Sequence, residues 1–199
     1  MYKEHPPLHV PVLLNASLLA LHPKKGENYL DLTAGYGGHA SEFLAITDNY
    51  SDSVLVDRDE QAIATLDRFA RRGVRLIHDD FVSAARTLID SGQAFSLILI
   101  DLGVSSPQLD TPERGFSFTH SGPLDMRMDN QQALTAEQVV NTYSAKELVR
   151  IIHEYGEESL GRARVIARAI IAARPLTTTK ELAQVILDTH VGSWQRVHP

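Results

Sequence analysis

The chain of 199 residues contains no cysteine and a single tryptophan. Without cysteine there are no disulfides, no thiolate metal ligands and no thiol nucleophile, so a stapled scaffold and cysteine-based covalent catalysis are both excluded. No apolar run approaches the roughly eighteen residues that a membrane-spanning helix needs. The first ten residues lack the basic start and apolar middle of a secretory signal, so the chain is expected in the cytoplasm. Metal-binding patterns are scarce as well. Of nine histidines only His5 and His9 lie close together, flanking two prolines, and no H-E-x-x-H pattern occurs, so no metal is expected. Internal repeats and low-complexity tracts are also missing.

What remains is the composition of an ordinary soluble domain, 43% hydrophobic and 22% charged, long enough for one good core and a second small one. The net charge of −6 argues against generic nucleic-acid binding, but the average hides a polarity. Residues 160–199 carry six Lys and Arg against two Asp and Glu, whereas the rest carries thirteen against twenty-three. Arg162, Arg164, Arg168 and Arg174 are candidate phosphate contacts on that basic stretch; a solvated helix face is the plainer alternative.

The most informative segment runs L-D-L-T-A-G-Y-G-G-H over residues 30–39. An apolar run closes on an acidic residue and enters a glycine-rich turn, after which the pattern becomes helical. Gly35 and Gly37 can take positive φ, and together with Gly38 they leave room for a ligand against the backbone. The helix that follows would turn free N–H groups and its positive dipole end toward an anionic group such as a carboxylate. An ordinary strand-to-helix turn closed by glycines is the alternative. Asp57 weighs against it, because it ends the apolar run 53–56 about twenty residues on, where an acidic side chain takes the ribose hydroxyls of a nucleotide cofactor. Asp59 is expected to cap the next helix, leaving Asp57 for the ligand.

Residues 28–32, 53–57, 74–78 and 95–101 read as buried strands, with helical patterns between them, clearest in 59–70, where Ala62, Ile63, Leu66, Phe69 and Ala70 share a face. Strands alternating with helices give an α/β fold with a parallel, right-handed, Rossmann-like sheet. Ligands on such sheets bind at the carboxyl ends of the strands, so residues 35–39, Asp57, residues 79–81 and Asp101 should converge on one rim. Asp101 closes the fourth strand where a carboxylate could meet both cofactor and substrate. Ser105, Ser106, Pro107 and Gln108 follow as a stiff polar loop, or as a Pro-anchored turn with self-bonding serines.

Past Asp101 a long irregular stretch, 102–130, precedes a region of helices alone. Loops of that length inside a compact domain are usually functional. Three capping boxes then start helices, at Thr135 with Gln138, Ser144 with Glu147 and Thr178 with Glu181. Leu148, Ile151, Ile152 and Tyr155 recur at helical spacing and are expected in a core. The organisation expected is a nucleotide-binding part over 1–110, a substrate-side loop over 111–134 and a helical domain over 135–199.

Six segments carry a resemblance. They are H-V-P-V-L-L at 9–14, D-L-T-A-G-Y-G-G-H at 31–39, D-R-D at 57–59, D-L-G-V-S-S-P-Q-L-D at 101–110, R-G-F-S-F at 114–118 and G-P-L-D-M-R-M-D at 122–129. In this order, over nearly the whole chain, they resemble the RsmH/MraW family of bacterial S-adenosylmethionine-dependent methyltransferases. Those enzymes methylate the exocyclic N(4) amino group of a cytosine in the decoding centre of 16S, small-subunit rRNA. The resemblance implies a class I methyltransferase sheet with an inserted helical domain, S-adenosyl-L-methionine as cofactor and rRNA of the small ribosomal subunit as partner. By position it implies that Gly37, Gly38 and His39 hold the methionine end, that Asp57 holds the ribose, that Phe81 lies near the adenine, and that Asp101 and Gln108 complete the pocket. Tyr36 and Ala34 depart from common choices in the family, at positions that act chiefly through their backbone.

Transfer to an exocyclic amine whose lone pair is delocalised depends on alignment and on acceptors for the amino protons, here Asp101 with Ser105, Ser106 and Pro107. Direct in-line displacement is expected, since ring-carbon methylation of cytosine uses a cysteine and there is none. Phe116 and Phe118, beside Arg114 and Arg127, are candidates for the loop that stacks on a splayed base; a hydrophobic anchor for that loop is the alternative. Two other functions stay open: a nicotinamide-dependent dehydrogenase, since the glycines and acidic strand end serve both cofactors, and a catalytically silent RNA- or ribosome-binding module. A homodimer stays open too. The chain ends on Arg196-Val197-His198-Pro199, where the family's chains continue, so a C-terminally truncated piece with a fourth strand left as an apolar edge, weak or inactive until completed, is expected.

Overall fold

Short apolar runs closed by acidic residues become the strands of a parallel sheet in the computed structural model, which describes residues 11–189. His5, His9 and Arg196 lie outside the described residues. β1 (Tyr29–Asp31), β2 (Val54–Asp57), β3 (Arg75–His78) and β4 (Leu97–Leu99) pair in the order β3-β2-β1-β4, every pairing parallel. Each strand lies inside the stretch expected from the sequence, trimmed by a residue or more. The order turns back at β1: β2 and β3 extend the sheet on one side and β4 on the other. The carboxyl ends of β1 and β4 therefore flank the topological switch point, the place where open α/β sheets bind ligands.

Alternation along β1 and β2 feeds two cores. Tyr29 and Leu55 pack with Phe43, Leu44, Leu66 and Phe69 of α2 (Gly38–Thr47) and α3 (Glu60–Ala70). Leu30, Leu32, Val54 and Val56 pack with Ala84 and Leu88 of α4 (Phe81–Asp90) on the other face. Tyr29 and Phe43 stack with ring centroids 4.8 Å apart. Each such buried side chain is worth about 1.5–3 kcal/mol relative to exposure, and a helix layer on both faces makes the sheet doubly wound. A short helix that the sequence reading did not identify, α1 (Leu14–Leu21), adds Leu18 and Leu21 to the first core. Among the described residues β4 is an edge strand, where Ile98 is 50% exposed and Ile100 just beyond it 48%.

The described residues divide into two compact units, the sheet unit up to Gly103 with Met128–Asn130, and a second unit of Val104–Arg127 with the residues from Gln131 onward. The division falls after Gly103, so Ser105 to Gln108 belong with the second unit. The stretch expected to be irregular contains α5 (Ser106–Asp110) and a 3-10 turn, Pro112–Arg114. Next come α6 (Ala136–Thr142), α7 (Ala145–Glu154), α8 (Leu160–Ala173) and α9 (Thr179–Asp188). The three capping boxes start α6, α7 and α9 as expected, and Ser159 caps α8. Leu124, Val140, Leu148, Ile166, Ala167, Ile170 and Leu176 form this unit's core. Tyr155 is not part of it. The side chain is 71% exposed, because α7 ends at Glu154 and the helical period that pointed Tyr155 inward ends with it.

Candidate functional site

At the carboxyl ends of β1 and β2 the chain is held by a run of short hydrogen bonds. Ala34 N donates to Val56 O at 2.9 Å and Gly37 N to Ala34 O at 2.8 Å, which closes the turn before α2. Asp57 braces the same turn: Oδ2 accepts the Gly35 amide at 2.7 Å and Oδ1 the Asp59 amide at 2.8 Å. Asp59 in turn caps α3 by accepting from Gln61 N at 2.9 Å. The cap is as expected, but Asp57 is not left wholly to a ligand, because each of its oxygens already takes a backbone N–H. Burial pushes its carboxyl above the ordinary value, against the pull of those N–H groups.

The glycines serve different purposes. Gly35 has φ 51° and Gly37 φ 80°, the left-handed region that glycine can enter without steric cost. A Cβ at Gly35 would stand in open space, whereas one at Gly37 would lie 2.5 Å from Phe69 Cε2 and 2.9 Å from Leu66 Cδ2, and one at Gly38 would run into the Pro11 ring. A side chain at Gly35 would point into open space, whereas at Gly37 and Gly38 the neighbouring residues leave no room for one. Arg68 Nη2 donates to Tyr36 O at 2.8 Å, so Tyr36, like Ala34, serves the turn through its backbone.

His39 sits in the first turn of α2 and is 7% exposed. Burial lowers its pKa, opposed by the charge of Asp101 and a backbone hydrogen bond with Val12. Its Nε2 makes no hydrogen bond among the described residues. Phe81 begins α4 and is 40% exposed; before it, Asp80 caps the helix from Val82 N and Ser83 N. Asp101, exposed, lies two residues past β4, its amide donating to Thr33 Oγ1 at 2.6 Å.

Asp31 was not singled out from the sequence, though its place in the D-x-T-x-G run was the available signal. It is 1% exposed, accepts the Tyr29 hydroxyl at 2.8 Å and the Thr33 amide at 3.1 Å, and is pushed up to about 7 by burial, with Asp57 and Asp101 adding repulsion. The Tyr29 phenol is raised too, first by its own burial and then by Asp31. Gly35, His39, Asp57 and Asp101 therefore gather at the ends of β1, β2 and β4 together with Thr33, which the sequence did not single out, while residues 79–81 follow β3, where Asp79 N donates to Asp57 O at 3.1 Å.

In the second unit Ser105 stands at the N-cap position of α5, its amide donating to Gln108 Oε1 at 2.9 Å; Pro107 is the second residue of the helix and its carbonyl accepts from Thr111 Oγ1 at 2.8 Å. Gln108 is 5% exposed and closes the turn. The loop expected to face substrate is knit internally. Arg127 pairs with Asp125 through Nε at 2.9 Å and Nη2 at 2.8 Å and gives Nη1 to Gln132 O at 2.8 Å, which holds the Asp125 carboxyl below its ordinary value. Arg114 is buried, donates Nη2 to Arg127 O at 3.1 Å and lies over the half-buried Phe116 ring. Arg114, Phe116 and Arg127 therefore hold the loop, and Phe118, 41% exposed, presents outward.

The basic stretch separates in the same way. Arg174 donates to the carbonyls of Val140 at 2.7 Å and Tyr143 at 2.6 Å, at the end of α6, and Arg162 donates to Thr189 O at 2.8 Å, at the end of α9. These two arginines are helix-end ties, which corrects their reading as open phosphate contacts. Arg164 and Arg168, one turn apart on α8, are exposed, and Arg168 Nε donates within the helix to Arg164 O at 3.1 Å.

The model of the MraW methylase family matches residues 7–199. A protein from Synechocystis sp., named ribosomal RNA small subunit methyltransferase H, is 44% identical over 96% of this chain and 64% of its own length. Proteins of the same name from Mycoplasmopsis agalactiae and Carboxydothermus hydrogenoformans are 46% and 48% identical over 92% and 90% of this chain, and 61% and 58% of their own lengths. The chain thus spans about three fifths of the length of these relatives.

Proposed function

The chain belongs to the MraW methylase family, and from that premise we propose that it serves transfer of a methyl group from S-adenosyl-L-methionine to the exocyclic N(4) amino group of a decoding-centre cytosine in small-subunit rRNA. The observation that carries the proposal is the rim at the switch point, where the open backbone of Gly35, the Asp57 carboxylate and the exposed Asp101 carboxylate meet around β1. The residues fit such a ligand. Space stands open over Gly35, and the buried His39 Nε2 offers a hydrogen-bonding position that no described residue occupies.

Gly35, Gly37, Gly38 and His39 would hold the methionine end, Asp57 the ribose hydroxyls through its remaining lone pairs, and Phe81 the adenine. When bound, S-adenosylmethionine supplies a methyl group on a sulfonium centre, with a neutral thioether as leaving group. Asp101 would accept the amino protons of the base and take the proton released as the new C–N bond forms. Ser105 and Ser106, which follow in the chain, are the proposed further acceptors, with Pro107 and Gln108 stiffening their turn. With no cysteine in this sequence, the displacement proposed is direct, without a covalent enzyme intermediate. Phe118 would stack on the splayed base, and Arg164 and Arg168 would meet phosphates.

Calorimetric titration with S-adenosylhomocysteine and, separately, with NAD tests the cofactor assignment: binding of the first alone is expected, and binding of NAD alone would replace the reading with a dehydrogenase. Methyl transfer to a small-subunit RNA fragment tests the rest. Asp101→Asn should lower transfer by about a hundredfold or more, the range for loss of a positioned proton acceptor. Transfer at the unaltered rate would remove Asp101 from the mechanism.

A further inference from the structure

β4 ends at Leu99, and the last rung between β1 and β4 is Leu32 N donating to Leu99 O at 3.0 Å. Asp101 lies beyond that ladder. Leu102, which follows, is 70% exposed, and a Cβ at Gly103 would meet no atom, so little side-chain packing fixes this part of the chain. What holds the Asp101 backbone is a side chain: its N–H donates to Thr33 Oγ1 at 2.6 Å, across 68 positions of sequence.

Thr33 is itself tied inward. Its amide donates to Asp31 Oδ1 at 3.1 Å, the other oxygen of Asp31 accepts the Tyr29 hydroxyl at 2.8 Å, and the fully buried Tyr29 ring stacks on Phe43. The Tyr29 amide donates to Ser53 Oγ at 3.0 Å, which ties the same residue to the position just ahead of β2. An unbroken run of hydrogen bonds thus leads from the apolar core through Asp31 and Thr33 to the backbone of an exposed carboxylate. Side chains that orient a functional group are held this way when the group itself stands on a segment without strand or helix bonds of its own.

We propose that Thr33 is the positioning residue of Asp101, the Thr33 hydroxyl fixing where the Asp101 carboxylate stands at the methyl-donor site; this rests on the cofactor reading given above. The hydroxyl oxygen is the working atom. Valine has the same branched shape but no acceptor, and would leave the Asp101 N–H without this partner. Serine keeps the oxygen. The dependence runs through Asp101, so it should vanish when the Asp101 carboxylate is absent.

A double-mutant cycle decides this, read by calorimetric titration of the full chain with S-adenosylhomocysteine. Thr33→Val should weaken binding by about five- to tenfold, the scale of one hydrogen bond. Thr33→Ser should restore affinity to within about twofold, and on an Asp101→Ala background Thr33→Val should change affinity by less than about twofold, because effects that act through one partner do not add. An equal penalty on both backgrounds would overturn the proposal. Amide hydrogen exchange gives a readout independent of ligand: Thr33→Val should speed exchange at Asp101 by about tenfold or more while leaving Gln61 and Val82, capped elsewhere, unchanged. Unaltered exchange at Asp101 would overturn it equally. Should the unsubstituted chain bind no S-adenosylhomocysteine, the cofactor reading fails, and the exchange result alone decides whether Thr33 holds Asp101.

Discussion

The Asp57 carboxylate accepts the Gly35 amide at 2.7 Å, so the residue that ends β2 sets the shape of the turn that follows β1. Asp57→Ala would leave the Gly35 and Asp59 amides without this acceptor. The loss should be about 1–3 kcal/mol of stability in urea unfolding, together with weaker S-adenosylhomocysteine binding, since half-buried donors without partners are costly. Stability equal to that of the unaltered chain would show that the carboxylate does not brace the turn.

The two positive-φ glycines of that turn can be told apart by substitution. Alanine at Gly35 meets no atom and should cost only the left-handed backbone penalty of about 1–2 kcal/mol, yet it places a methyl group where the cofactor is proposed to lie. Alanine at Gly37 carries the same backbone penalty and also strikes Phe69 and Leu66, adding about 1–3 kcal/mol of overpacking. Gly35→Ala should therefore be the more stable variant and the poorer cofactor binder for its stability. Thermal unfolding and calorimetric titration on the two variants check the reversal; parallel losses in both properties would contradict it.

How much of this was legible beforehand follows from which physical signal each feature carries. The four strands could be read because each is a short apolar run closed by a turn residue, and the α6, α7 and α9 starts because Thr135, Ser144 and Thr178 are each followed three residues on by Gln or Glu. The strand-end cluster followed from topology alone. Tyr155 was misplaced because periodicity does not say where a helix stops. Arg162 and Arg174 look the same in sequence as Arg164 and Arg168; only the fold shows that the first two reach the carbonyl ends of α9 and α6. Thr33 was hidden for a similar reason, since its partner is 68 residues away.

The buried Asp31 makes stability depend on pH with a definite sign. Its carboxyl is pushed up to about 7 in the fold, well above the roughly 3.9 of an unfolded chain. Between those values the folded chain holds a proton that the unfolded chain has released, so stability falls as pH rises from about 4 to about 7, by up to roughly 4 kcal/mol in total. His39, its pKa lowered by burial, works in the opposite direction on the acid side of its ordinary value, so the difference between variants is the clean measure. Asp31→Asn can still accept from Thr33 N and meet the Tyr29 hydroxyl. Its margin over the unaltered chain should grow as pH rises from about 4 to about 7 and level off above that, read in urea midpoints. A difference that does not change with pH would show that Asp31 ionises normally.

The basic stretch should divide by function as it divides by burial, Arg162 and Arg174 half-buried against other helices and Arg164 and Arg168 exposed. Arg162→Ala and Arg174→Ala each remove a charged donor from helix-end carbonyls, and each should lower stability by about 1.5–3 kcal/mol. Arg164→Ala and Arg168→Ala remove exposed cations from α8 and should stay within about 0.5 kcal/mol of the unaltered chain. In RNA binding the ranking inverts. Each phosphate contact on a single strand contributes about 0.7 to the slope of log affinity against log salt, so replacing both Arg164 and Arg168 should flatten that slope by about 1.4, with little dependence on RNA sequence. Arg174→Ala, measured where the variant is fully folded, should leave the slope unchanged, because its guanidinium is held by the Val140 and Tyr143 carbonyls. Fluorescence anisotropy with a labelled single-stranded RNA across a salt series measures all of these. A slope that survives the loss of Arg164 and Arg168 would return them to an ordinary solvated helix face and move the RNA contact elsewhere on the chain.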